Sequence, residues 1–151
     1  MIVNINYSGE LLESTSQFLF SVWKPKQFVQ KCDGYTIVIF KTGKCRIMGC
    51  KTRLLQSTLP FKINNIKIQS ITVTQDLGKS VNLYKMAVKL GSEAMYEPEL
   101  FPALRLLKFN PLCVNIFSSG KIVILGIKII DYNDIVTKIT ETILNIESEI
   151  A

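Results

Sequence analysis

The chain has 151 residues, 48% hydrophobic and 20% charged, the balance of a folded domain rather than a disordered tail. Eighteen Lys and Arg against 12 Asp and Glu leave a net charge of +6, which favours an anionic partner without naming one. Histidine is absent, which excludes His-based triads and His-ligated zinc sites; the sequence implies no enzyme and no cofactor.

Along the chain, a β-rich segment from Ile2 to Tyr7 precedes a helical stretch over about Glu13 to Val22. A P-x-x-F motif follows, Pro25 with Phe28, and then a strand from Thr36 to Phe40. The tight turn Lys41-Thr42-Gly43-Lys44 places Gly where positive φ is easiest, and the returning strand ends at Gly49. A short helix from Lys51 to about Ser57 stops before Pro60. The order then restarts with a strand from Ile66 to Thr74 and a helix over about Val81 to Leu90. A second P-x-x-F, Pro98 with Phe101, leads to a strand from Cys113 to Phe117. The turn Ser118-Ser119-Gly120-Lys121 and a strand ending at Gly126 complete the hairpin. A long helix closes the chain, with Ile135, Ile139, Ile143 and Ile146 on one face, Asp134, Lys138 and Glu141 polar, and Asp131 or Asn133 as its cap.

The restart is an internal repeat. Ile39, Phe40, Gly43, Lys44, Ile47, Gly49 and Lys51 recur 77 positions later as Ile116, Phe117, Gly120, Lys121, Ile124, Gly126 and Lys128. The two P-x-x-F motifs are only 73 apart, so the first copy is four residues shorter between its motifs. Two copies, 1–64 and 65–151, are too few for a solenoid and suit one pseudo-twofold domain.

The four cysteines form no C-x-x-C pair and read as small buried apolar residues of a reducing compartment. No secretory signal opens the chain. The apolar run from Ile122 to Ile130 is broken by Gly126 and Lys128 and is too short for a bilayer. These features predict a soluble intracellular protein with no membrane partner.

Strand parity raises a question about the second sheet face. Val38 and Phe40 share one face and Ile37 and Ile39 the other, and Val123 and Leu125 likewise oppose Ile122 and Ile124. Both faces are apolar, where a half-exposed antiparallel sheet would show polar residues on its open side. A sheet buried on both sides, a homodimer, or an open apolar binding face rimmed by Lys would each explain this.

At these residues the sequence resembles the TATA-box-binding protein family. Tyr96-Glu97-Pro98-Glu99-Leu100-Phe101-Pro102 is similar to its Y-E-P-E-L-F-P segment. Ile116-Phe117-Ser118-Ser119-Gly120-Lys121 and Gly126-x-Lys128 resemble its I-F-x-S-G-K…G-A-K hairpin, and Lys67-Ile68-Gln69 its K-I-Q opening. The resemblance is strong over about 67–144 and weaker over 2–52. It implies an α+β saddle: two pseudo-symmetric repeats, a concave curved antiparallel sheet on the DNA minor groove, and helices on the convex face. The family is itself a standard example of apolar wedges kinking DNA from the minor groove.

Carried over residue by residue, the resemblance implies intercalating wedges at Phe28, Phe40, Phe101 and Phe117. It implies phosphate contacts from Lys44 and Lys121, with Arg105 on the face of a family strand arginine. The minor-groove face would comprise Val38, Arg46, Met48, Ser70, Thr72, Asn115, Val123 and Leu125. Glu97, Glu99 and Leu100 match the stirrup that binds general transcription factor IIB. The implied partners are double-stranded promoter DNA, a factor-IIB-like protein and, through it, the RNA polymerase machinery, at a nuclear or other intracellular site of transcription.

Several positions depart from the family. Its asparagine after K-I-Q is Ser70, and the first repeat offers only Asn4, a poor match. A family threonine is Met48 in one hairpin and Leu125 in the other, a concave leucine is Asn115 and a concave valine is Arg46. The wedges are kept while the polar centre is altered, which predicts A·T-leaning, relaxed specificity. The alternative is an interaction module of the same fold, or a homodimer off DNA that buries the concave face.

Overall fold

A computed structural model describes residues 1–11, 27–52, 54, 59–60, 62–128 and 131–150. The helix expected over Glu13 to Val22, Pro25, and most of the short helix after Lys51 lie outside the described residues. The chain forms two compact units, Val3–Ile71 and Thr72–Ala151 with Met1–Ile2. The division falls inside a strand.

In the first unit β1 (Ile2–Leu11), β2 (Gln27–Cys32), β3 (Tyr35–Phe40) and β4 (Lys44–Cys50) stand in the order β2-β3-β4-β1, followed by β5 (Ile63–Asp76). The pairings β2–β3, β3–β4 and β1–β4 are antiparallel. β1 alternates strictly: Val3, Ile5, Tyr7, Gly9 and Leu11 are buried, while Asn4, Asn6, Ser8 and Glu10 are not. That is the pattern of a strand with one face on a core. The core side of the unit is built by Ile5, Ile37, Ile39, Cys45, Ile47 and Ile63, each at most 1% exposed.

The second unit runs from the end of β5 through α1 (Leu83–Leu90), β6 (Ala94–Met95), β7 (Leu104–Leu106), β8 (Cys113–Ile116) and β9 (Lys121–Ile127) to α2 (Asn133–Ile150). Its strand order is β5-β9-β8-β7-β6, with β6–β7, β7–β8 and β8–β9 antiparallel. Asn82 caps α1, its side chain accepting from the Lys85 N–H at 3.0 Å. The helices bury Leu83 and Met86 from α1 and Val136, Ile139 and Ile143 from α2. The buried stripe of α2 therefore includes Val136, while Ile135 and Ile146 sit at its margin. The Val136 N–H donates to the Tyr132 carbonyl, so Tyr132 rather than Asp131 or Asn133 holds the N-cap position. Lys79 and Lys89 pair with Glu147 and Glu149 of α2, at 2.7 and 3.4 Å.

The repeat is exact in its hairpins. Val38 faces Arg46 and Ile39 faces Cys45; 77 residues on, Asn115 faces Val123 and Ile116 faces Ile122. Each turn closes alike: Gly43 N–H donates to the Phe40 carbonyl and Gly120 N–H to that of Phe117. The two turn glycines sit at φ 89 and 93. Each glycine carbonyl also accepts from the end of a long strand, from Leu11 N–H in one copy and Leu77 N–H in the other, both at 2.9 Å. The copies are thus matched in register and hydrogen bonding as well as in sequence.

Among the described residues all four cysteines are free, with Cys45 and Cys50 buried. Burial pushes both thiols up, and the nearby Glu10 carboxylate adds to the effect at Cys45. Protonated buried thiols are poor nucleophiles, which fits packing roles. No described helix is long and apolar enough to cross a membrane.

Candidate nucleic-acid interface

Directly opposed residues of antiparallel strands project to the same side, so the registers assign the faces. In the first unit Thr36, Val38, Lys44, Arg46 and Met48 lie opposite the buried set, joined from β1 by Ser8 and Glu10. In the second unit Cys113, Asn115, Val123 and Leu125 share the open face, with Arg105 opposite Asn115 and Met95 opposite Arg105. Every expected groove-facing residue of the two hairpins thus lies on the face away from its core. Along β5, Ser70 and Thr72 alternate with the fully buried Ile71 and Val73.

These faces are partly sheltered. Val38 and Asn115 are only 8% exposed, hemmed in by their cross-strand neighbours. Asn115 Oδ1 accepts a long 3.8 Å contact from Cys113 Sγ. Met48 and the cation Arg46 stand out. An open hollow of about 770 Å³ on the first unit is lined by Ser8, Glu10, Phe40, Lys44, Arg46 and Lys67, among others. Gln69, from the K-I-Q match, also lines it, as does Asn65, which nothing in the sequence singled out.

The aromatic residues divide. Phe101 is 43% exposed, and its ring meets that of Phe117 edge-on, centroids 6.2 Å apart at 68°. This geometry suits the positive edge of one ring on the negative face of the other. Phe117 continues the open-face parity of β8, so the second copy brings the two aromatics of its motifs together. The first copy does not. Phe28 opposes Ile39, which puts it on the core side of the sheet and leaves it half-buried. Phe40 has the opposite parity and faces Gln27. The two rings expected as wedges in this copy, Phe28 and Phe40, therefore leave opposite faces of the sheet.

The cause is a register difference. Ile116 opposes Leu104, three residues beyond Phe101, whereas its counterpart Ile39 opposes Phe28 itself. The shorter connection of the first copy, Asp33-Gly34, pulls β2 along by three residues, and an odd slip exchanges the two faces of a strand. Phe40 has instead acquired Arg46, whose Cζ lies 5.9 Å from its ring centroid.

Asn4, a poor match to the family asparagine by sequence, lies on β1. The alternation of β1 places Asn4 and Asn6 on the open face. Asn6 Oδ1 accepts from the Gly49 N–H at 3.3 Å, while the buried Asn4 Oδ1 has no hydrogen-bond partner among the described residues. The polar-apolar alternation V-N-I-N-Y-S-G-E-L was the available signal.

Lys44 and Lys121 are exposed just after the turn glycines, at the tips of the two hairpins. The segment with Glu97, Glu99 and Leu100 is a fully exposed turn, its end fixed by Leu100 and Phe101 N–H groups both donating to the Glu97 carbonyl at 2.9 Å. Leu100 is 81% exposed. No described cluster of His, Cys, Asp or Glu could hold a metal.

Comparison with known proteins bears on this arrangement directly. The family model described as transcription factor TFIID (or TATA-binding protein, TBP) matches residues 65–146. The TATA-box-binding protein of Archaeoglobus fulgidus is 33% identical over 127 residues, covering 70% of this chain and 69% of that protein. That of Sulfurisphaera tokodaii is 38% identical over 108 residues, 62% of this chain and 54% of the relative. TATA-box-binding protein 1 of Triticum aestivum is 29% identical over 148 residues, covering 85% and 64%. The chain thus spans between about half and just over two thirds of these relatives. A solved structure, Methanococcus jannaschii TBP, superposes with a TM-score of 0.69 at 28% identity, covering 96% of this chain and 97% of that one. With a doubled α+β unit, matched hairpins and these relatives, the chain belongs to the TATA-box-binding protein family.

Proposed function

We propose that this protein is a transcription initiation factor whose open sheet faces bind the minor groove of A·T-rich promoter DNA and bend it. The observation that carries the reading is the Phe101–Phe117 pair, two half-exposed rings held edge-to-face beside an open face of Asn115, Val123 and Leu125. Exposed aromatics held this way are costly in water and useful as a wedge. The minor groove shows a degenerate pattern of acceptors, which a largely apolar face follows without a hydrogen-bond code. Lys44, Lys121 and Arg105 supply phosphate contacts that set affinity and position rather than sequence. Ser70 and the altered hairpin positions relax the preference for one element. The exposed acidic turn at Glu97 and Glu99 recruits a basic, factor-IIB-like protein, and through it the polymerase.

The test is a mobility-shift titration on an end-labelled A·T-rich duplex and a G·C control, with end-to-end energy transfer reporting the bend. Tighter binding to the A·T duplex with a shortened end-to-end distance is expected. Equal binding to both duplexes with no change in distance would overturn the reading.

A further inference from the structure

The first repeat replaces the ring partner of its wedge with a cation, and the position of that cation suggests what it recognises. Arg46 and Val123 occupy one position in the two copies, 77 residues apart and in the same cross-strand register. Val123 contributes apolar surface there; Arg46 contributes an exposed guanidinium. Arg46 sits on β4, third in from the edge strand β2 and flanked by β3 and β1. The open-face arginine of the second repeat, Arg105, sits on β7, second from the edge strand β6. On the minor-groove reading, cations near a sheet edge (Arg105) or at a hairpin tip (Lys44 and Lys121, the first residues of their strands) meet backbone phosphates, whereas Arg46, two residues further along an inner strand, meets the groove floor. Among the described residues no ion pair engages Arg46. The acid lining the same hollow is Glu10, which stands opposite Lys44 in the β1–β4 ladder. The contact with Phe40 holds the guanidinium over the open face and reduces the freedom lost on binding.

We propose that Arg46 is a specificity-determining residue: its guanidinium enters the minor groove under the first repeat and makes that part of the site far less tolerant of G·C than the part under the second. The inference rests on the minor-groove reading above. Narrow A·T grooves concentrate negative potential and attract arginine. A G·C pair places the guanine amino donor on the floor, where it opposes another donor; a valine there meets only a misfit. Arginine is always charged and weakly hydrated, so it enters a groove more readily than lysine. The two halves of the recognised element are therefore unequal, and the protein sits on it in one preferred direction.

The experiment is a substitution scan. Each A·T pair of a bound duplex is replaced in turn by G·C, or by inosine·cytosine, which lacks the minor-groove amino group. Affinities are measured for the wild type, Arg46→Val and Arg46→Lys. The wild type should lose ~10–100-fold per G·C pair over one contiguous part of the site and recover with inosine. Arg46→Val should shrink those losses to below about 3-fold, on the scale of one lost bidentate contact, while leaving the rest of the profile unchanged. Arg46→Lys should fall between. Val123 shows that this register accepts valine, and Arg46→Gln serves as a second variant with the same expected flattening. Profiles for Arg46→Val and Arg46→Gln indistinguishable from wild type would overturn the assignment of Arg46 while leaving DNA binding intact. A wild type that binds none of the duplexes would instead overturn the minor-groove reading, and this inference with it.

Discussion

Phe28 and Phe101 sit in the same motif yet meet different surroundings, and this difference can be measured. Phe101→Ala with Phe117→Ala removes the exposed edge-to-face pair and should abolish bending while the fold persists. Phe28→Ala removes a half-buried side chain on the core side of β2. It should lower stability by roughly 1–3 kcal/mol and leave the bend of the remaining folded protein unchanged. Urea melts and end-to-end energy transfer on both variants check the two halves of this prediction. A lost bend in Phe28→Ala at unchanged stability would place Phe28 back among the wedges. The residues legible from sequence were those whose partners lie within one hairpin: Val38, Val123 and Leu125 took their faces from parity, and Arg46, Met48 and Asn115 theirs from the family resemblance. Phe28 was not legible, because its face depends on the register of a neighbouring strand and one motif cannot encode an odd slip.

At the level of elements, the hairpins and both described helices were visible as periodicity and turn chemistry. β2, β6 and β7 were not, being short or mixed in pattern, with their place set by tertiary pairing. The hairpin turns also differ in tolerance. A Cβ on Gly120, at φ 93, would lie 2.1 Å from the Lys79 carbonyl oxygen, whereas one on Gly34, at φ 83, meets nothing within 4 Å. Gly34→Ala should therefore cost on the order of 1–2 kcal/mol, the backbone penalty alone. Gly120→Ala adds a backbone clash and should cost roughly 2–5 kcal/mol. Thermal melts of the two variants decide the ranking. The acidic turn is an element of another kind, exposed and tied back by two bonds to the Glu97 carbonyl. Glu97→Arg with Glu99→Arg should spare binary DNA binding and destroy assembly with a basic factor-IIB-like partner, since like charges across an interface cost several kcal/mol. A supershift assay with the partner reads both; a ternary complex formed normally by the reversed turn would remove this role.

For the whole molecule, the net charge of +6 predicts affinity that falls steeply with salt as phosphate contacts release counterions. Lys44→Ala should weaken binding to all duplexes alike and reduce the salt slope by about 1. Salt-independent affinity would point to a protein partner in place of DNA. The duplication also supplies an internal control on cooperativity. The amides of Leu11 and Leu77 make the same bond to a turn-glycine carbonyl in their respective copies. They are matched reporters of local opening, differing in little but the repeat they occupy. In a hydrogen-exchange experiment, equal protection would mean that the copies open together, and unequal protection that the shortened one frays first. A ligand gripping both copies should slow exchange at both sites; one held by a single copy should mark itself by slowing only one.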